Sequence, residues 1–246
     1  MLACQDRCVR SALSIVLAVV LCRLRVVPFL LTFGATANEH IHIGSIGNVS
    51  VNSPFAILQT TGIMKVLGVF VLVAFVANVV IRDDESGFAA IIRSTRIGKF
   101  DYLVGRFVGA YVVALTVMVG VPLAIMIGSW MPWLDPEKLG PTFITHYLFA
   151  FLVYSAPTTL TLGVGFFALA TATRSMMWTY VDAVAFLVLF FVAQTLLSDP
   201  TKLTAASLSD PFALTAFEQA TRYWTAADRN TQLPRFAGVL LYNRLI

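Results

Sequence analysis

The chain has 246 residues, of which 58% are hydrophobic and 12% charged, with a mean hydropathy of +0.82. A soluble domain carries roughly 25% charged residues, so this composition excludes an ordinary soluble protein and defines an integral membrane protein. The net charge of +4 comes mainly from loop bases, which fits orientation in a membrane and gives no reason to expect a nucleic-acid partner.

The aqueous segments are too short to fold a second domain, so residues 1–246 read as one transmembrane domain. Cys4, Cys8 and Cys22 lie in the first tenth of the chain and provide no disulfide framework. Residues 11–36 support two readings. They have the basic onset and short apolar core of a signal peptide, but no small-x-small cleavage site follows. A single span there sets Arg23 and Arg25 near mid-membrane, at about 2.5–3.5 kcal/mol each. A first span within 11–36 is the expectation adopted. The polar, turn-rich stretch that follows contains no base and reads as an extracytoplasmic loop. Its Glu39, His40 and His42 are metal-ligand types without an evident third and fourth partner, so no metal is expected.

A second span is expected over 61–81, with Lys65 near its outer end, where its ammonium can snorkel to the interface; a charge inside a span also raises the question of a substrate path. Residues 82–106 then hold nine of the thirty Lys, Arg, Asp and Glu residues. The bases Arg82, Arg93, Arg96, Lys99 and Arg106 assign this loop to the cytoplasm. Asp83, Asp84 and Glu85 precede Gly87, Phe88, Ile91 and Ile92, a spacing that gives a short helix with acids at its N-terminus and one apolar face. Such a helix lies on a membrane or a partner, or is a plain solvated connector.

The third span, 102–128, opens with Gly105 and Gly109, a GxxxG pair that permits close helix approach. Trp130, Pro132 and Trp133 mark its emergence. The fourth, 145–171, is interrupted by Pro157 and crowded with small residues, among them Thr158, Thr159, Gly163 and Gly165, which suits packing within a bundle. Arg174 returns the chain to the cytoplasmic side, and the fifth span, 177–197, contains Asp182 and Gln194. From 198 the segment is amphipathic and, by alternation of the spans, extracytoplasmic. Asp210 followed by Pro211 reads as an N-cap and first-turn pair, and Ala213, Phe217, Ala220 and Trp224 share one face suited to the membrane interface. The chain stops at Asn243, Arg244, Leu245 and Ile246 as another apolar segment begins. The expected fold is therefore an all-α polytopic bundle of about five spans with a sixth missing or cut short, and a truncated chain is expected.

No HExxH, GxSxG or GxxxxGK[ST] motif is present, so no catalysis and no cofactor are expected, and ATP cannot be bound through a P-loop. Three loop patterns do carry a resemblance. RDDESG from Arg82 is followed by Ile91, Ile92, Arg93, Ser94 and Thr95 and then by YLVGR from Tyr102. ATATRSMMW follows from Ala170, then Asp210, Pro211 and Phe212 with TRYW from Thr221. The run resembles ABC transporter type 2 permeases, in particular a bacterial subgroup of large permeases sometimes fused to an aminopeptidase-like region. The resemblance implies a six-span permease half in the bacterial cytoplasmic (inner) membrane, in contact with lipid. It also implies a second permease half or a homodimer, and a separate ABC ATP-binding subunit as partners. Carried over by position, Asp83, Asp84, Glu85, Gly87, Ile91, Ile92, Arg93 and Ser94 form the coupling surface for that ATPase. Asp210, Pro211, Phe217 and Trp224 belong to an extracytoplasmic gate helix. The alternative is a noncatalytic membrane scaffold or assembly subunit without ATP coupling.

Overall fold

A computed structural model of the chain describes residues 26–37, 48–85, 98–197 and 202–245, and all regular structure within them is helical. Four helices are long and apolar enough to cross a membrane. In chain order the elements are α1 (Val26–Ala37), α2 (Pro54–Glu85), α3 (Lys99–Gly128), α4 (Ile144–Thr173) and α5 (Met176–Leu196). Four short helices follow: α6 (Leu203–Ser209), α7 (Leu214–Thr221), α8 (Ala226–Thr231) and α9 (Val239–Leu245). The chain is an all-α polytopic bundle embedded in a membrane. The four long helices are the second to fifth spans read from the sequence. Of the first, the described part is α1, and residues 11–25 lie outside the described residues.

α2 is the axis of the bundle. In its apolar window, Pro54–Val76, 72% of residues are buried inside the chain, against 22% in that of α5, which leaves most of α5 to lipid. The reason is visible in the sequence of α2, where apolar residues run all round the helix rather than along one stripe. Val69, Leu72, Val73 and Val76 pack on α3, α4 and α5 through Ala110, Leu162, Ala183 and Leu187, while Phe55, Ile57 and Leu58 pack nearer its start against Tyr147, Tyr154 and Phe217.

Several buried hydroxyls in this apolar interior are satisfied locally, although those of Ser155 and Tyr147 are without a hydrogen-bond partner among the described residues. Thr61 donates to the Ile57 carbonyl, Thr159 to Ser155 and Ser129 to Ile125, each one turn back, so small polar residues can be buried without stranded hydrogen bonds. One end of the bundle is closed by a polar clasp. Asn52 accepts from the Gly140 amide at 2.7 Å and donates to the Gly140 carbonyl at 2.6 Å, and Asn230 accepts from the Ser50 amide at 2.8 Å and donates to the Asn48 carbonyl. The clasp ties the start of α2, the connection between α3 and α4, and α8. Trp130 and Trp133 are exposed at this same end, as membrane-interface residues should be.

Several boundaries differ from the expectation. α2 starts seven residues earlier than 61, because Ser53 accepts from the Ala56 amide and supplies the N-terminal cap that Pro54 then follows. It also continues through Asp83, Asp84 and Glu85, which occupy its C-terminal turn and not the N-terminus of a separate helix. The glycines expected to pack helices behave unequally. Gly163 is buried, with Phe107 and Leu72 in ordinary contact, but a side chain at Gly105, Gly109 or Gly165 would meet nothing within 4 Å inside the chain. The tight approaches are at Gly62, where an added Cβ would fall 2.5 Å from Leu214 and 3.0 Å from the Tyr154 hydroxyl, and at Gly68, where it would collide with Met118. Gly62→Leu is therefore expected to destabilise the bundle by about 1–3 kcal/mol. Gly105→Ala and Gly109→Ala are expected to stay within about 0.5 kcal/mol; thermal unfolding of the three variants in one detergent measures the contrast.

Candidate functional site

Lys65 is the twelfth residue of the 23-residue apolar window of α2 and is 3% exposed. It therefore stands at mid-depth, inside the bundle, and does not snorkel to the interface as expected from a span beginning at 61. The earlier start of α2 is the physical reason. A lone Lys at a helix centre costs about 2.5–3.5 kcal/mol on insertion scales, so its partners define the site.

The first set of partners comes from α4. That helix is interrupted by a π-helical turn, Ala150–Ser155, in which the Ala156 amide bonds to the Phe151 carbonyl. The next residue, Pro157, has no N–H to give, so the ladder loosens here. The Tyr154 carbonyl accepts from the Lys65 ammonium at 3.1 Å and from the Thr158 hydroxyl at 3.2 Å. The Lys65 ammonium also lies 3.3 Å from the centre of the Tyr154 ring, a desolvated cation–π contact. On the other side of the interruption, the Ala156 carbonyl accepts from the Tyr111 hydroxyl of α3 at 3.2 Å.

The second set comes from the C-terminal helices. Asp210 ends α6 and its carboxylate accepts from the Phe212 amide at 2.8 Å and the Thr215 amide at 2.7 Å. It thus caps α7, as its residue type predicts, but from five positions upstream of Thr215. Pro211 is outside α7, not in its first turn. The intervening turn places Ala213 in the left-handed region at φ 54°, fixed by its amide bonding to the Asp210 carbonyl and its own carbonyl accepting from the Tyr154 hydroxyl. In that conformation the Phe212 carbonyl reaches the Lys65 ammonium at 2.7 Å. Phe212 itself is fully buried against Phe190, with ring centres 4.8 Å apart, and against Phe186.

α9 completes the cluster. Asn243 donates to the Ser207 and Asp210 carbonyls at 2.7 and 2.8 Å. Arg244 donates to the Thr158 hydroxyl at 2.5 Å and to the Phe212 carbonyl at 3.3 Å, and its guanidinium lies 5.4 Å from the Tyr154 ring. Lys65 and Arg244 thus share the Phe212 carbonyl, the Thr158 hydroxyl and one aromatic ring. Beside them is a void of about 10 Å³, lined by Lys65, Gly68, Leu72, Met118, Thr158 and Leu162, room for about one water.

The segment 202–245 therefore folds back into the bundle to the depth of Lys65. The amphipathic face expected to lie in the membrane interface is covered by protein over its first part: Ala213 is fully buried and Phe217 is 1% exposed, its ring tilted against Phe55 and Tyr154, whereas Ala220 is exposed. Trp224 packs at the edge of the same cluster. Of the residues assigned to coupling, Asp83, Asp84 and Glu85 end α2, whereas Gly87, Ile91, Ile92, Arg93 and Ser94 lie outside the described residues, as do Glu39, His40 and His42. Among the described residues no group of three His, Cys, Asp or Glu side chains comes together as a metal site. Tyr154, Thr158, Phe212 and Arg244 were missed in the sequence. The available signal was a second unplaced cation, Arg244, in a second apolar run.

Comparison with protein-family models, curated proteins and solved structures gives no match.

Two outcomes follow from these bonds. Asp210→Ala strips two amides of their acceptor and is expected to destabilise the chain by about 1–3 kcal/mol, with Asp210→Asn recovering part of the loss; denaturant or thermal unfolding measures both. The second concerns α8, whose Thr225 and Asp228 form a reciprocal capping box. Hydrogen bonds from the Thr225 side chain and backbone hold the Asp228 carboxyl below the ordinary aspartate value. A lowered carboxyl pKa contributes stability above the unfolded-state value, and that contribution is lost as pH falls through the lowered one. Amide exchange across α8 is expected to speed up on acidification below the ordinary aspartate range, and Asp228→Asn should abolish that dependence.

Proposed function

We propose that the chain is the membrane-spanning permease subunit of an ABC exporter, resident in a bacterial cytoplasmic membrane and driven by a separate ATP-binding subunit, with a second permease half or a second copy completing the translocation path. The observation that carries this reading is the re-entrant segment: after the last long helix, 202–245 returns to mid-depth and is bonded there to α2 and α4. A plug of this kind, tethered through a few polar bonds inside an apolar bundle, is suited to opening and closing. A purely structural scaffold gains nothing from burying two cations at mid-membrane.

The lever in this proposal is α2. It is one uninterrupted helix of 32 residues, roughly 48 Å long at 1.5 Å per residue. Asp83, Asp84 and Glu85 are its last three residues and supply the acidic contact for the ATPase in this reading. Lys65, about 27 Å back along the same helix, holds the plug. Displacement of the acidic end by a closing ATPase dimer would then be delivered to the Lys65–Phe212 bond by rigid-body motion, without a chain of side-chain rearrangements.

Two measurements test the reading. A P-loop ATPase is expected to co-purify with the full chain from its native membrane, and charge reversal at Asp83, Asp84 and Glu85 together is expected to lower its recovery at least about tenfold, as loss of several charge-assisted contacts implies. Recovery of intact complex after that reversal removes the acidic end from the contact. Absence of any ATPase from repeated purifications would favour a scaffold.

A further inference from the structure

The charge balance around Lys65 is incomplete. Two cations, Lys65 and Arg244, meet at the same two oxygen acceptors in a low-dielectric interior. Among the described residues, Asp210 is the acid whose field reaches both. Its two carboxylate oxygens are already engaged by the Phe212 and Thr215 amides. The carbonyls of Tyr154 and Phe212 satisfy hydrogen bonds but supply only partial charge, and the Arg244 Nε is buried without a hydrogen-bond partner. Burying a charge without a full counter-charge costs several kcal/mol after relaxation. Among the described residues the cluster thus sets two basic side chains against one acid.

We propose that Lys65 and Arg244 form a binding site for a monovalent oxyanion, a carboxylate or a phosphodiester borne on an apolar molecule that carries no cation of its own, and that the Phe212 carbonyl occupies the oxyanion's position in the closed form described here. Three features fit. Lysine and arginine together present donors for two oxygens, and arginine's fork matches a planar carboxylate or phosphate edge. The walls next to the ammonium include Gly68, Leu72, Ala114, Met118 and Leu162, an apolar lining suited to hydrocarbon. The existing void holds about one water, so the ligand enters only when the turn at 210–213 withdraws. Withdrawal breaks two bonds from cations to the Phe212 carbonyl and one from the Tyr154 hydroxyl to Ala213, and an arriving oxyanion replaces the first two with stronger charge-assisted bonds.

The inference names the ligand class of the site in the permease reading, but binding itself needs neither ATP nor a partner. It is therefore tested on the purified full chain in nanodiscs of zwitterionic lipid, without an ATPase, so that a failure here leaves the co-purification result untouched and the converse. The probes are oleate, phosphatidylglycerol, phosphatidylcholine and inorganic phosphate, added separately and followed by native mass spectrometry. Saturable binding of oleate or phosphatidylglycerol is expected, weakened at least about tenfold by Lys65→Met and by Arg244→Gln and retained by Lys65→Arg. Binding of inorganic phosphate in competition with oleate would uphold the oxyanion chemistry and show that the tail is dispensable. Equal binding of phosphatidylcholine and phosphatidylglycerol, or binding indifferent to both neutralised variants, would overturn the proposal. Should the neutralised variants fail to fold, a photoactivatable fatty acid on the unmodified chain decides. Crosslinks near Lys65 and Thr158 support the site, whereas crosslinks confined to the lipid-facing Val184 and Val188 of α5 refute it.

Discussion

An ammonium group held at mid-membrane is the constraint on which the rest of this structure depends. Lys65 is 3% exposed inside the apolar window of α2, so the bundle must bring polar atoms to it. It does so from three places far apart in the chain, two of them local departures from regular helix. α4 gives up its α-helical ladder around Tyr154, the turn after α6 adopts a left-handed residue, and α9 sends Arg244 inward. These irregularities would be unexplained in isolation. Viewed from Lys65 they share one cause, the cost of an unsolvated charge.

The same constraint separates what could be read in the sequence from what could not. Long apolar stretches with tryptophans at one boundary and bases in the connections identify membrane helices directly, because hydrophobic length is a one-dimensional property. Four long helices accordingly fall where the pattern placed them. The depth of Lys65 was misjudged because the start of α2 is set by the Ser53 cap and Pro54, a signal obscured by the polar run before it. The segment after α5 was harder. Of the face its periodicity marks, Ala213, Phe217 and Trp224 pack inward while Ala220 stays exposed, and periodicity cannot tell lipid from protein as the cover. Asp210 was recognised as a capping residue, but Pro211 was expected in the first turn of a helix that begins only at Leu214, after the left-handed Ala213. The glycines tell a similar story. A GxxxG spacing is visible at Gly105 and Gly109, yet the close approaches fall at Gly62 and Gly68, whose importance depends on which helix happens to lie opposite.

Mechanically the bundle is polarised. At one end the reciprocal bonds of Asn52 with Gly140 and of Asn230 with Asn48 and Ser50 hold three connections together. Between the ends of α2, the segment 202–245 is latched by bonds that converge on two cations and one ring.

The π-helical turn of α4 gives that latch a discrete character. A π turn is an α-helix with one residue too many, and converting it back to regular geometry would swing everything on its far side by roughly 100° about the helix axis, the angle between neighbouring residues at 3.6 per turn. Tyr154 lies within this turn, and Thr158 lies one turn on, past Pro157. A single-residue shift of register there would carry the tyrosine ring and the threonine hydroxyl to different faces, and Lys65 would lose both at once. α4 can thus work as a two-position clutch, engaged when the extra residue is stored in the turn and disengaged when it is passed along the helix.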